Sequence, residues 1–84
     1  MRRSIHSTPY VVLRELLTQA RLSAELTQEQ LAAKLRRPQS YVAKYETGDR
    51  RLDVIEFLEV CSTLRLDPGN VLAKTEHALN QLSD

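Results

Sequence analysis

The sequence predicts an all-α domain of five short helices. Apolar residues recur at helical spacing, and helix-start signals fall at Pro9, Thr27, Pro38, Asp53 and Asp67. No run of alternating apolar and polar residues supports a sheet. With 84 residues the chain is long enough for one domain with a thin core. Its stability is then modest or completed by a partner chain.

Leu13, Leu16, Leu17 and Ala20 stand at i, i+3, i+4 and i+7, which is one face of a helix. Pro9 suits a first turn, where a missing N–H costs no intrahelical bond. The first helix is therefore expected from about Tyr10 to Ala24, with residues 1–9 as an N-terminal arm and residues 10–84 as the single domain. Thr27-x-x-Gln30 reads as a capping box, flanked by Leu26 and Leu31 as a hydrophobic staple. Leu31, Ala32 and Leu35 give the second helix its apolar side, and the pattern breaks at Arg36-Arg37-Pro38. The third helix begins near Pro38 and ends before Gly48, which can take the left-handed conformation. Val42 and Tyr45, three apart, should face inward, leaving Gln39, Ser40, Tyr41 and Lys44 outward.

Gly48-Asp49-Arg50-Arg51 is a turn. Asp53-x-x-Glu56 is a second capping box, with Leu52 and Phe57 as its staple. The fourth helix is expected to bury Val54, Phe57, Leu58, Cys61 and Leu64, with Leu66 packing after its end. Asp67-Pro68 then places a cap before a first-position proline. The fifth helix, about residues 68–82, presents Val71, Leu72, Thr75, Ala78, Leu79 and Leu82.

Composition narrows the possible functions. A single cysteine excludes an internal disulfide framework and zinc sites built on several thiolates. The apolar runs are too short to span a membrane, and residues 1–10 lack the apolar stretch of a secretory signal, so a cytoplasmic location is expected. The formal net charge of +1 hides an asymmetry. Residues 34–51 carry six cations against two anions, whereas residues 52–84 carry two cations against six anions. Local density, not the total, decides whether a polyanion can bind. A charged, solvated surface is the plainer explanation on charge alone.

The second and third helices, joined by about three residues and followed by two longer ones, have the arrangement of a helix-turn-helix. A helix fits the major groove of B-form DNA, where its N-terminal residues reach base edges. Gln pairs with adenine, Lys donates to guanine, and Ser serves either. A tyrosine ring can lie on a thymine methyl or set its hydroxyl on a phosphate.

Leu26-Thr27-Gln28-Glu29-Gln30-Leu31-Ala32-Ala33-Lys34-Leu35 resembles the opening of the Cro/C1-type helix-turn-helix family, also called the XRE family. Gln39-Ser40-Tyr41-Val42-Ala43-Lys44-Tyr45-Glu46-Thr47-Gly48 is similar to its recognition helix, and Leu52 through Leu66 with Asp67-Pro68 to its fourth helix and exit. The match covers about residues 10–72. This resemblance implies a five-helix, lambda-repressor-like DNA-binding domain. It also implies a homodimer on a two-fold operator and a role in transcription. Gln39, Ser40 and Lys44 match base-reading positions, and Tyr41 a position on phosphate or base. Gln28 matches a phosphate contact, and residues 47–51 a stretch that follows the DNA backbone. Thr47, Arg50 and Arg51 are therefore expected on phosphates, with Arg37 beside them.

Two residues depart from the family pattern. Arg36 stands where a turn glycine is usual, and a left-handed backbone there costs on the order of 1 kcal/mol. Pro38 stands where a capping Ser or Thr is common, leaving the first amides of the third helix less well capped.

The remaining candidates are structural. Cys61 reads as a small core residue. His6 and His77 lack ligand-spaced neighbours, so no metal is expected. Glu46 reads as a helix-end ion pair or cap. There is no catalytic constellation and no cofactor is expected. The apolar surplus (Ile55, Val60, Val71, Leu72, Thr75, Leu79 and Leu82) is expected to join two chains. The acidic half would then face away from DNA. The leading expectation is a dimeric, double-stranded-DNA-binding regulator, most simply a repressor. An antitoxin or controller-type protein with an additional protein partner is the alternative.

Overall fold

The computed structural model describes residues 8–81. They form α1 (Thr8–Ser23), α2 (Gln28–Leu35), α3 (Gln39–Thr47), α4 (Val54–Leu64) and α5 (Pro68–Asn80), with no strand among the described residues. Thr8 and Pro9 belong to α1 rather than to an arm. The rest of the expected arm, His6 included, lies outside the described residues, as does Leu82. No described helix is long and apolar enough to cross a membrane.

The start signals act as the sequence suggests. Thr27 and Gln30 exchange both capping-box bonds, as do Asp53 and Glu56. Asp67 accepts from the Gly69 N–H ahead of α5. At Pro38 no side chain caps α3.

The helix ends are less expected. Glu25, Arg36 and Arg65 all adopt the left-handed conformation, at φ 60°, 58° and 59°. Each is followed by a residue whose N–H reaches five residues back: Leu26 to the Arg21 carbonyl, Arg37 to Ala32 and Leu66 to Cys61. These are Schellman closures, which glycine usually makes. Leu26 and Leu66 pack against the core just after the strained residue, and that burial offsets the backbone cost.

Leu17, Leu31, Val42, Tyr45, Val60 and Cys61 are fully buried and form the centre of the core. α1 packs on both α5 and α3, and α2 packs on α3.

Two expectations about helix faces need correction. Val54 is 72% exposed and Leu58 41% exposed, whereas Val60 is fully buried. α4 is therefore turned by roughly 70° about its axis from the expected setting, at about 100° per residue. Glu56 lies on the same face as Val60, one turn before it, and its carboxylate accepts from Arg50 and the Asp53 N–H, with Arg37 at 3.5 Å. With Val60 in the core, Val54 and Leu58 lie on the surface with Ile55. On α5, Val71 and Ala78 are buried within the chain, and the half-buried Thr75 donates its hydroxyl to the Val71 carbonyl. Val60 and Val71 therefore belong to the core and not to a surface that could join two chains. Leu72 and Leu79 are exposed, as expected.

The left-handed arginine at the end of α4 offers a test. Arg65→Gly relieves the backbone strain and should raise stability by about 0.5–1 kcal/mol, several degrees in Tm by thermal denaturation. An unchanged or lower Tm would mean that residue 65 carries no strain.

Candidate nucleic-acid interface

The position of α3 is set by one buried ion pair. Arg21 of α1 donates Nε to Glu46 Oε2 at 2.8 Å and Nη2 to Oε1 at 3.1 Å. Its remaining Nη1 donates to the Leu26 carbonyl at 2.8 Å. Gln28, at the start of α2, donates to Glu46 Oε1 at 2.8 Å. A single carboxylate on α3 thus holds α1, the loop that follows it and the first turn of α2. Both charged side chains are at most 10% exposed, so the pair lies in a medium where loss of either partner is costly. Glu46 is the structural ion pair that its position suggests. Arg21 escaped sequence reasoning. The available signal was a cation one helical turn after Leu17, in register with the apolar stripe of α1.

α3 presents Gln39, Ser40, Lys44 and Thr47 on one exposed face, with half-buried Ala43 between them. Val42 and Tyr45 point inward, as expected. Tyr41 does not join the exposed face: it is only 7% exposed. At about 100° per residue it lies nearer Tyr45 than Ser40 around the helix. Its ring meets that of Tyr45 edge-on at a centroid distance of 5.7 Å. Burial, first, and the nearby Glu56 carboxylate, second, raise the Tyr41 pKa. Burial likewise raises the pKa of Tyr45, whose buried hydroxyl has no protein partner.

Two guanidinium groups lie over the Tyr41 ring, Arg37 at 4.8 Å and Arg50 at 5.0 Å from its centroid. Arg50 grips Glu56 with two bonds, Nη2 to Oε2 at 2.7 Å and Nη1 to Oε1 at 3.0 Å. Arg37 reaches Glu56 at 3.5 Å and Glu59 at 3.0 Å. The Arg50 hydrogen bond, and after it the Asp53 N–H, hold the Glu56 carboxyl down to about 2. The expected separation of a basic middle from an acidic half is therefore incomplete. Glu56 and Glu59 sit against Arg37 and Arg50, two of the three arginines expected on phosphates.

The loop after α3 is held by the N-terminal end of α1. The Tyr10 hydroxyl donates to the Arg50 carbonyl and accepts from the Leu52 N–H, both at 3.3 Å. The exposed Arg51 places its guanidinium 4.5 Å from the centre of the Tyr10 ring. The Thr47 hydroxyl donates to the Lys44 carbonyl. Gly48, at φ 90°, faces the Arg14 guanidinium so closely that a Cβ would collide with it. The Arg14 side chain could move aside, so it is the backbone angle that favours glycine here.

Cys61 is a buried thiol whose pKa is raised by burial, which suits a core residue. No cluster of three metal-ligating side chains occurs among the described residues.

Two short helices with an exposed polar flank on the second define a DNA-binding helix-turn-helix domain. A family model described as "Helix-turn-helix domain" matches residues 12–73. A solved structure described as "XRE-family like protein from Pseudomonas syringae pv. tomato str. DC3000" is similar, with 49% sequence identity and a TM-score of 0.79. The match covers 87% of this chain and 89% of that one. No curated protein matches. The chain belongs to the XRE family of helix-turn-helix proteins, which makes it a DNA-binding regulator.

The two carboxylate centres make separate predictions. Glu46→Ala strands the Arg21 guanidinium and should cost about 3–5 kcal/mol by urea denaturation. A loss below about 1 kcal/mol would mean that Glu46 does not organise the domain. Glu56 predicts a pH response. Because its folded pKa lies below the ordinary value of 4.5, its stabilisation is complete above that value and is lost as the pH falls towards about 2. Glu56→Gln keeps a capping acceptor for Asp53 but not the titration. Its unfolding free energy should fall less steeply than that of the unmodified protein across that interval. Equal slopes would overturn the assignment.

Proposed function

We propose that the protein is a sequence-specific repressor that binds a two-fold operator as a homodimer. The observation that carries this reading is the exposed polar face of α3, where Gln39, Ser40 and Lys44 stand together at its N-terminal and middle turns. A helix of ordinary width fills the major groove, so these side chains read base edges. Tyr41, being buried, takes no part in base reading. Thr47 and Arg51 are exposed beside that face and bind the flanking phosphates. Gln28, Arg37 and Arg50 adjoin the same ridges, although each is held by a carboxylate in the free protein.

Pairing of two chains draws on the apolar residues left in solvent. Ile55, Leu72 and Leu79 remain from the expected set, and Val54 and Leu58 join them. That much apolar surface on so small a domain favours a second copy as its cover. A two-fold pair sets two recognition helices about one DNA turn apart, and repression then follows from covering a promoter.

Selecting bound duplexes from a random pool, with the solution mass measured in parallel, tests the reading. Two inverted half-sites and the mass of a dimer are expected. Gln39→Ala and Lys44→Ala should each weaken operator binding by about 1–3 kcal/mol while affecting random duplex less. Equal losses on both kinds of DNA would remove base reading from these residues.

A further inference from the structure

We propose that Glu56 sets binding specificity by standing in for a DNA phosphate between Arg37 and Arg50 when no operator is bound. The inference rests on the DNA-binding reading above and concerns what those two arginines do before DNA arrives.

The two guanidinium groups are stacked over Tyr41, next in sequence to Ser40 on the exposed face of α3. A helix that fills the major groove brings its flanks against the sugar-phosphate ridges on either side. The arginines stand on that flank. Burial of the cluster is graded. The Arg50 side chain is 40% exposed and Arg37 32%, whereas Glu56 beneath them is 11% exposed. At Arg50 an approaching phosphate therefore meets the cation on the outside and its present anion on the inside, while Arg37 also holds the 49% exposed Glu59 at 3.0 Å.

A carboxylate and a phosphate offer a guanidinium fork the same bidentate geometry. Arg50 already uses both its terminal nitrogens on Glu56. The depressed pKa of that carboxyl reflects how firmly the charged form is held. Any duplex offers phosphates, so an unengaged Arg37 and Arg50 would raise affinity for every sequence alike. With Glu56 in place, that general attraction must first displace an intramolecular partner. An operator adds base contacts at Gln39, Ser40 and Lys44, and these bring the phosphates close enough to make the exchange. Glu56 thus lowers binding to random DNA more than binding to the operator.

The test compares the full-length protein with Glu56→Gln, Arg50→Ala and the double variant. Binding to a selected operator and to random-sequence duplex is measured across a salt series. Glu56→Gln should bind random duplex about three- to tenfold more tightly than the unmodified protein. It should also steepen the salt dependence by about one phosphate and narrow the ratio between operator and random sequence. In the Arg50→Ala background the same change should give no gain, because the arginine it frees is absent. An affinity for random duplex within twofold of the unmodified protein overturns the proposal. So does a full gain that survives without Arg50, since that is the effect of one fewer negative charge. The Glu56 carboxyl carbon resonance in the unmodified protein supplies a readout independent of the variants' folding. It should move when operator binds, and an unmoved resonance in the bound state also counts against the exchange. If the unmodified protein binds no duplex at low salt, the DNA-binding reading itself falls. Bound DNA with an inert Glu56→Gln defeats the exchange alone.

Discussion

The whole arrangement depends on the buried pair between Arg21 and Glu46. α3 is only nine residues long and offers few apolar side chains to its neighbours. Hydrophobic contact alone would leave it free to roll or tilt. The Glu46 carboxylate removes that freedom, since it accepts from Arg21 twice and from Gln28 once. Arg21 in turn closes the end of α1 through the Leu26 carbonyl. Three helices therefore share one electrostatic joint, and the outward flank of α3 takes its direction from it. Buried pairs add little net stability over a well-packed apolar contact. Here the pair supplies orientation, which an apolar contact would supply less sharply.

A second carboxylate repeats the principle on the opposite side of α3. Glu56 receives its own capping N–H, two bonds from Arg50 and a longer contact from Arg37. Tyr41 serves as the floor for both guanidinium groups. Capping, ion pairing and cation–π stacking thus converge on one exit loop and the helix that follows. Tyr10 grips that loop from α1 through two backbone bonds. α3 is consequently held at both ends, by Glu46 towards α1 and α2 and by Glu56 towards α4.

This organisation changes the meaning of the charge count. Residues 34–51 hold an excess of four positive charges, read straight from the sequence. Folding assigns Arg37 and Arg50 to acidic residues of α4 and lays Arg51 over Tyr10. Lys34, Arg36 and Lys44 stay exposed to solvent. The field that a polyanion meets is thus weaker and more localised than a linear sum suggests.

The helices, their starting caps and the exposed Gln39, Ser40 and Lys44 were legible in the sequence. Each depends on residues within one or two turns of each other, so local chemistry determined them. Arg36 stood out only as the residue in place of the family's turn glycine, and its left-handed backbone, like those of Glu25 and Arg65, came with the structure. Three features were decided only by the tertiary structure. α4 carries apolar residues around much of its circumference, so periodicity alone could not choose between Leu58 and Val60 for the core. Packing of α4 on α1, α2 and α5 placed Val60 inside. Tyr41 could face solvent or protein, and it is buried where its ring meets Tyr45 beneath Arg37 and Arg50. Arg21 could be an ordinary surface cation until folding brought Glu46, 25 residues away, within hydrogen-bonding distance. Long-range partners have no signature in spacing, because the chain between them carries no record of which charges will meet.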